Sequence, residues 1–198
     1  MILDKRGQEM KKGLLIILSG PSGVGKGTVR SLFFDDPELN IAFSVSMTTR
    51  SQRATEKDGV DYYFVTKDRF LEAIKNDELL EYAEFVGNYY GTPMDKVEEL
   101  RNQGKNVLLE IEVQGAIQVK AKVPDALTIF IVPPSMEELE KRIRGRKSEA
   151  PEVVAKRLEK ASKEMEMVGQ YKFVVCNDDP KLAASIISLI IKRHMEMA

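Results

Sequence analysis

Near the start of the chain, Gly20-Pro21-Ser22-Gly23-Val24-Gly25-Lys26 has the residue types and spacing to hold a phosphate chain. Phosphate oxygens need several amide hydrogens converging on one point, and glycines let the backbone curl around an anion with no Cβ in the way. The stretch has the form G-x-x-x-x-G-K and lies between the apolar run Leu14 to Leu18 and a segment of helical pattern. That is the strand–loop–helix setting a phosphate loop requires. A helix opening near Lys26 adds its positive dipole end, and the lysine supplies a full charge that can follow the outer phosphates. One position departs from the strict motif: Gly27 follows the lysine, and the hydroxyl comes one step later on Thr28. In the strict motif that hydroxyl is a direct Mg²⁺ ligand. The expectation here is Mg²⁺ held by phosphate oxygens and water, with Thr28 bonding a phosphate.

A second cluster lies in Phe43-Ser44-Val45-Ser46-Met47-Thr48-Thr49-Arg50-Ser51-Gln52-Arg53. Arg50 and Arg53 are three apart beside several hydroxyls. Two guanidiniums can grip a phosphate dianion through paired hydrogen bonds, which lysine ammoniums do less well. Tyr62 and Tyr90 offer phenolic donors to the same anion. Taken alone, the peptide also fits an exposed polar loop with ordinary ion pairs.

Charged side chains recur at two further places. Val107-Leu108-Leu109-Glu110-Ile111-Glu112 resembles a Walker B strand. Glu110 and Glu112 are two apart, so within a strand they project from one face. The carboxyl end of a parallel strand is also where ligands bind in such sheets. Glu110 is expected in the water shell of Mg²⁺. Arg142 and Arg146 are four apart and share a helical face, and Arg157 follows on the next helix. Guanidiniums there can stabilise the charge that phosphoryl transfer spreads over the equatorial oxygens. They also fit a solvated basic face paired with Glu138 and its neighbours.

The elements that position these groups alternate. The apolar runs Leu14 to Leu18, Val107 to Ile111, Leu127 to Val132 and Phe173 to Cys176 read as strands, with helical patterns between them. This predicts an α/β fold with a parallel sheet flanked by helices. The stretch from about Phe43 to Tyr90 breaks the pattern with short strand-like pieces such as Tyr62 to Val65, and with a helix at about Lys67 to Asn76. Ser135 and Glu138 form a capping-box pattern for a helix to about Gly145. A further helix follows Pro151, with Val154, Leu158, Ala161, Met165 and Val168 on its apolar face. The polar link 146–150 between these helices suggests a lid. Pro180 to Ala198 reads as a last amphipathic helix. The expected organisation is a flexible extension over 1–12 and one domain over 13–198. Its core comprises 13–42, 97–134 and 170–198, with an inserted acceptor region at 43–96 and a lid at about 135–169.

Composition narrows the classes. The 198 residues carry a formal net charge of −1 and are 43% hydrophobic and 31% charged. The near-neutral balance argues against a nucleic-acid coat protein, which usually has a basic excess. The lone Cys176, in an apolar run, reads as a buried small hydrophobe, with a reactive thiol as the alternative. One cysteine and one histidine, His194, argue against a zinc site. No run approaches the roughly 20 apolar residues of a membrane span, and the start lacks a signal-peptide pattern. The expected setting is cytoplasmic, with no nucleic-acid or membrane partner; homo-oligomerisation is left open.

Ser-Val-Ser-x-Thr-Thr-Arg-x-x-Arg, then Asp61-Tyr62-Tyr63-Phe64-Val65, Glu81-Tyr82-Ala83 and Gly87-Asn88-Tyr89-Tyr90-Gly91-Thr92, together resemble the guanylate kinase family. The resemblance runs from about Leu14 to Asp179, with the motifs in the family's order. It implies a P-loop nucleoside monophosphate kinase that moves a phosphoryl group from Mg²⁺-bound ATP to GMP, and to dGMP. It further implies that Gly20 to Thr28 hold ATP and that Arg50, Arg53, Tyr62 and Tyr90 hold the GMP phosphate. Ser46, Glu81 and Thr92 would read the guanine edge, Glu112 would contact the acceptor base, and Asn177 the adenine. The family usually has Asp where this chain has Glu112. Arg142, Arg146 and Arg157 would close over the phosphates beside Lys26. Guanine presents N1–H and N2–H₂ donors that one carboxylate accepts together, whereas adenine has no N1–H and would leave Glu81 unpaired. Thr92 also fits a cap for the helix that Pro93 opens.

Two rival readings stay open at this level. A related P-loop kinase acting on a phosphorylated sugar would keep the loop but lack the arginine, tyrosine and Glu81 set. An inactive phosphopeptide-binding module of the same family would typically lose the loop lysine and the lid arginines.

Overall fold

A computed structural model describes residues 11–145 and 151–197. Among these residues the elements run β1 (Leu15–Ser19), α1 (Lys26–Ser31), β2 (Ile41–Phe43), β3 (Met47–Thr48), β4 (Tyr63–Phe64), α2 (Lys67–Lys75), β5 (Leu79–Phe85) and β6 (Asn88–Pro93). They continue as α3 (Met94–Asn102), β7 (Asn106–Glu110), α4 (Val113–Lys122), β8 (Leu127–Val132), α5 (Met136–Arg144), α6 (Pro151–Met165), β9 (Phe173–Cys176) and α7 (Pro180–Met197). Most of the expected N-terminal extension and the whole polar link, with Arg146, lie outside the described residues.

Five strands form one sheet in the order β2-β7-β1-β8-β9, and four form another in the order β4-β3-β6-β5. β1 pairs parallel with β8, and β8 parallel with β9. The expected parallel sheet flanked by helices is therefore present. The apolar sequence of β1 has its reason in that order: the strand has neighbours on both sides, and all five of its residues are buried. Burying each such Leu or Ile stabilises the fold by about 1.5–3 kcal/mol relative to exposure.

The chain divides into two compact units. One comprises Ile16–Ile41, Leu109–Val113 and Leu127–Ala198. It contains the glycine loop, α1, α5, α6 and α7; Ala183, Ala184, Ile187 and Ile191 of α7 are buried. The other comprises the described part of Met1–Leu15 with Ala42–Leu108 and Gln114–Ala126. It holds the four-stranded sheet, whose small core is Met47, Phe70, Ala73 and Leu79, flanked by Tyr63, Val65, Ile74 and Tyr89. Helix α2 starts where Thr66 accepts the Arg69 amide, a side-chain cap typical of helix N-termini.

Three expectations need correction. Cys176 is exposed. β9 ends the sheet order, so it alternates: Val175 is buried while Val174 and Cys176 face outward. Val168 is not on the apolar face of α6; the helix stops at Met165, and Val168 opens a short 3₁₀ turn. Glu110 and Glu112 do not share a strand face, because β7 ends at Glu110 and Glu112 lies in the link to α4. No described helix is long and apolar enough to cross a membrane.

Candidate functional site

The glycine loop leaves β1 at Gly20 and enters α1 at Lys26. Gly23 and Gly25 have φ of 89° and 96°, values that glycine adopts without the steric cost other residues meet. A Cβ on Gly25 would come within 2.7 Å of Asn177 Nδ2, so two constraints select glycine there. Lys26 curls back over its own loop, donating to the carbonyls of Gly20 at 2.5 Å and Pro21 at 3.3 Å. Two of its three protons are used this way, and the third can serve an anion. Burial pushes the ammonium below its usual pKa, offset in turn by the carboxylates of Glu110, Glu164 and Glu112. Thr28 is exposed on α1, and its carbonyl accepts from Ser31 Oγ.

Two arginines, one on α5 and one on α6, reach towards the loop region. Arg157 Nη2 donates to Ser22 Oγ at 2.8 Å. Arg142 Nη1 donates to the Asn177 carbonyl at 2.9 Å, and its Nε lies 3.4 Å from Glu138 Oε1. The Ser135 hydroxyl caps α5 by accepting the Glu138 amide at 3.2 Å. The Glu138 carboxylate turns to Arg142 rather than closing the other half of a capping box.

Asn177 follows β9, directly after Cys176. It is buried, and its Nδ2 donates to the Val24 carbonyl at 2.7 Å. The side chain braces the loop from within.

The acidic residues separate in role. Glu110 is half-buried, with Oε2 3.4 Å from Arg30. Glu112 is exposed, and both its oxygens accept from Lys160 of α6 at 2.8 Å. Glu164, which the motifs did not single out, is buried on α6, close enough to Lys26 to help raise the lysine's pKa. Desolvation raises its carboxyl above the usual range. Its place on the inner face of α6, three residues after Ala161, was the available signal.

In the other unit, Arg50, Tyr62 and Tyr90 come together. The Arg50 guanidinium lies 5.4 Å from the Tyr62 ring centroid, and the Tyr62 and Tyr90 rings are 6.1 Å apart. The β3–β6 register, Thr48 opposite Tyr90, sets that approach. Glu56 was missed in the sequence. It accepts from Arg50 Nη2 at 2.7 Å and Nη1 at 3.1 Å, and from the Arg53 amide at 2.9 Å. It thus orients one arginine's fork and fixes the other's backbone, and Arg50 holds its carboxyl below the usual range. Its spacing, three after Arg53, was legible. The Arg53 side chain is exposed, and Ser46 is half-buried, its carbonyl accepting the Tyr63 amide at 2.8 Å.

Glu81 and Thr92 form a cross-strand pair. The β5–β6 register shifts between Leu79 and Glu81, so Leu79 faces Pro93 and Glu81 faces Thr92. Such an irregularity re-aims side chains: Leu79 and Leu80 are both buried, and Glu81 turns to Thr92. The Thr92 hydroxyl donates to Glu81 Oε1 at 2.6 Å. Thr92 is not the helix cap; Pro93 occupies that position, with no side-chain cap bond.

A profile of the guanylate kinase family matches residues 12–194. A guanylate kinase of Lactococcus lactis subsp. lactis (strain IL1403) is 55% identical over 182 residues, covering 92% of this chain and 88% of the relative. One of Streptococcus agalactiae serotype III (strain NEM316) is 53% identical over 182 residues, covering 92% of this chain and 87% of the relative. The crystal structure of guanylate kinase from Anaplasma phagocytophilum aligns with a TM-score of 0.68 at 36% identity, covering 93% of this chain and 87% of that one. With loop, arginine–tyrosine cluster and carboxylate–hydroxyl pair all in place, the chain belongs to the guanylate kinase family.

Proposed function

We propose that this chain transfers the γ-phosphoryl group of ATP to the phosphate of GMP, yielding ADP and GDP. The single observation that carries the choice of acceptor is the buried Glu81–Thr92 pair. A buried carboxylate held in place by a hydroxyl is an acceptor for adjacent N–H donors, which guanine presents at N1 and N2 and which adenine does not present at N1.

The chemistry asks mainly for alignment and charge stabilisation. An oxygen of the GMP phosphate attacks the γ-phosphorus, and the bond to the β–γ bridging oxygen breaks as ADP departs. That attacking oxygen is already largely ionised at neutral pH, so no general base is assigned. Arg50, Arg53, Tyr62 and Tyr90 hold the acceptor phosphate, with Glu56 orienting the Arg50 fork. Gly20 to Thr28 wrap the donor phosphates, and Lys26 follows the charge outward. Arg142, Arg146 and Arg157 supply guanidiniums to the equatorial oxygens and, with closure, exclude water as a competing acceptor. Ser46 and Glu112 remain assigned to the acceptor base. The Lys160 pair would have to open before Glu112 could reach it.

The residues present fit Mg²⁺ brought in on ATP. Among the described residues no group of three or more His, Cys, Asp and Glu is placed to hold a metal. A half-buried carboxylate, Glu110, nevertheless sits close enough to raise the Lys26 pKa. Mg²⁺ is commonly held by one or two carboxylates plus substrate phosphates and water, and Glu110 would serve through water. When bound, the ion neutralises charge on the β- and γ-phosphates. The proposed setting is the cytoplasm, where ATP and GMP are found.

The test is product stoichiometry. Incubation with ATP, Mg²⁺ and GMP should form GDP and ADP in equal amounts; ADP without GDP would contradict the assignment.

A further inference from the structure

Helix α4 meets the edge strand β5 along one face, at Gly115, Gln118 and Lys122, positions three and four residues apart. Gln118 Oε1 accepts the Tyr82 amide at 3.1 Å, and its Nε2 donates to the Tyr82 carbonyl at 3.0 Å. One side-chain amide thus satisfies both outward backbone groups of the residue that follows Glu81, as a neighbouring strand would. Lys122 donates to the Leu79 carbonyl at 2.6 Å and pairs with Asp77. These contacts pin β5 on either side of Glu81.

Gly115 faces Glu81 itself. A Cβ there would lie 2.9 Å from Glu81 Oε2 and 3.4 Å from both Cγ and Cδ. The opposite oxygen, Oε1, is held by Thr92 at 2.6 Å. The carboxylate therefore sits between a hydroxyl on β6 and a helix surface with no side chain. Gly115 has no positive φ to excuse it, and glycine is a poor helix former. Its presence is explained by the room it leaves for the carboxylate.

We propose that Gly115 and Gln118 are positioning residues for base selection, setting where the Glu81 carboxylate stands and hence how well it accepts two guanine donors at once. This rests on Glu81 being the group that reads guanine.

A methyl at 115 displaces only the end of a flexible side chain, so Gly115→Ala should fold, with an unfolding temperature equal to or above that of the parent. Displacement spoils two-point acceptance, and the 2-amino group of guanine then counts for less. Inosine monophosphate, which keeps N1–H and O6 but lacks that amino group, is the probe. For Gly115→Ala the KM for GMP should rise about tenfold or more, the GMP-to-inosine-monophosphate ratio of kcat/KM should fall by a similar factor, and the KM for ATP should stay within about twofold. Gln118→Ala, at a half-buried position, should move the same ratio in the same direction. A purely structural role would lower the unfolding temperature or kcat and leave the ratio alone. Glu81→Gln is measured alongside. If it is impaired on GMP while both α4 variants keep the parental ratio, the positioning role is overturned and the reading of Glu81 stands. If Glu81→Gln is itself unimpaired, the reading of Glu81 falls and the positioning role falls with it.

Discussion

Across the β5–β6 pair, Thr92 donates its hydroxyl hydrogen to Glu81 at 2.6 Å, and both side chains are buried. A buried carboxylate is costly unless it is hydrogen-bonded. Glu81→Gln replaces an acceptor with a donor facing the guanine edge. The expected loss is about 100-fold in kcat/KM for GMP, with the KM for ATP changed less than about twofold. Steady-state kinetics with each nucleotide varied in turn checks it; parallel losses for both would remove the base-reading role.

Lys26 shows how the loop exchanges stability for chemistry. Its ammonium is desolvated, and its pKa is depressed by burial. A lysine with a depressed folded pKa weakens the fold increasingly as pH falls through that value, so at neutral pH the charged form is carried at a cost. Lys26→Met should cut turnover by about 10²–10³-fold or more while leaving the unfolding temperature unchanged or raised. Turnover together with thermal unfolding at pH 7 tests this. A large drop in unfolding temperature would make the lysine a structural residue instead.

Glu164 should leave a pH signature. Its carboxyl is raised in the fold, chiefly by desolvation. A group raised in this sense favours the fold below its unfolded pKa and loses that contribution as pH rises through the folded value. Glu164→Gln keeps the shape of the side chain and removes the titration. The variant's advantage in unfolding temperature should therefore be smallest near pH 4 and widen towards pH 7. Unfolding followed across that range decides it; a gap that narrows with rising pH would contradict the desolvation argument.

The β5–β6 hairpin stores local strain. Val86 and Gly87 occupy the two-residue turn with φ of 50° and 74°, a geometry that favours Asn-Gly. A β-branched residue in the left-handed region costs roughly 1–2 kcal/mol. Val86→Asn should stabilise the protein by about 1 kcal/mol, raising the unfolding temperature by about 2–4 °C at this chain length. Calorimetry reads it, and an unchanged or lower value would show that the turn is not strained.

Which parts were legible in the sequence follows from how local each signal is. Leu127 to Val132 and Phe173 to Cys176 were delimited as strands because they are short, predominantly apolar runs, the first stopped by Pro133-Pro134 and the second flanked by Lys172 and Asn177. Ser135 was legible as a cap because capping is settled within one helical turn. Cys176 was misjudged because its exposure depends on β9 lying at the sheet edge, which an apolar run does not reveal. Glu112 was misplaced because β7 stops at Glu110, an end that the sequence itself does not punctuate. Asn177, Gln118 and Gly115 act through partners 153, 36 and 34 positions away, respectively Val24, Tyr82 and Glu81. Spacing along the chain cannot report such distant pairings.

The most direct test of the central claim is a comparison of kcat/KM for GMP and AMP, with ATP and Mg²⁺ saturating and all transfer products quantified. The account predicts a preference for GMP of about 10³-fold or more, with GDP as the product. Equal or faster transfer to AMP, or no transfer to any nucleoside monophosphate, would contradict it.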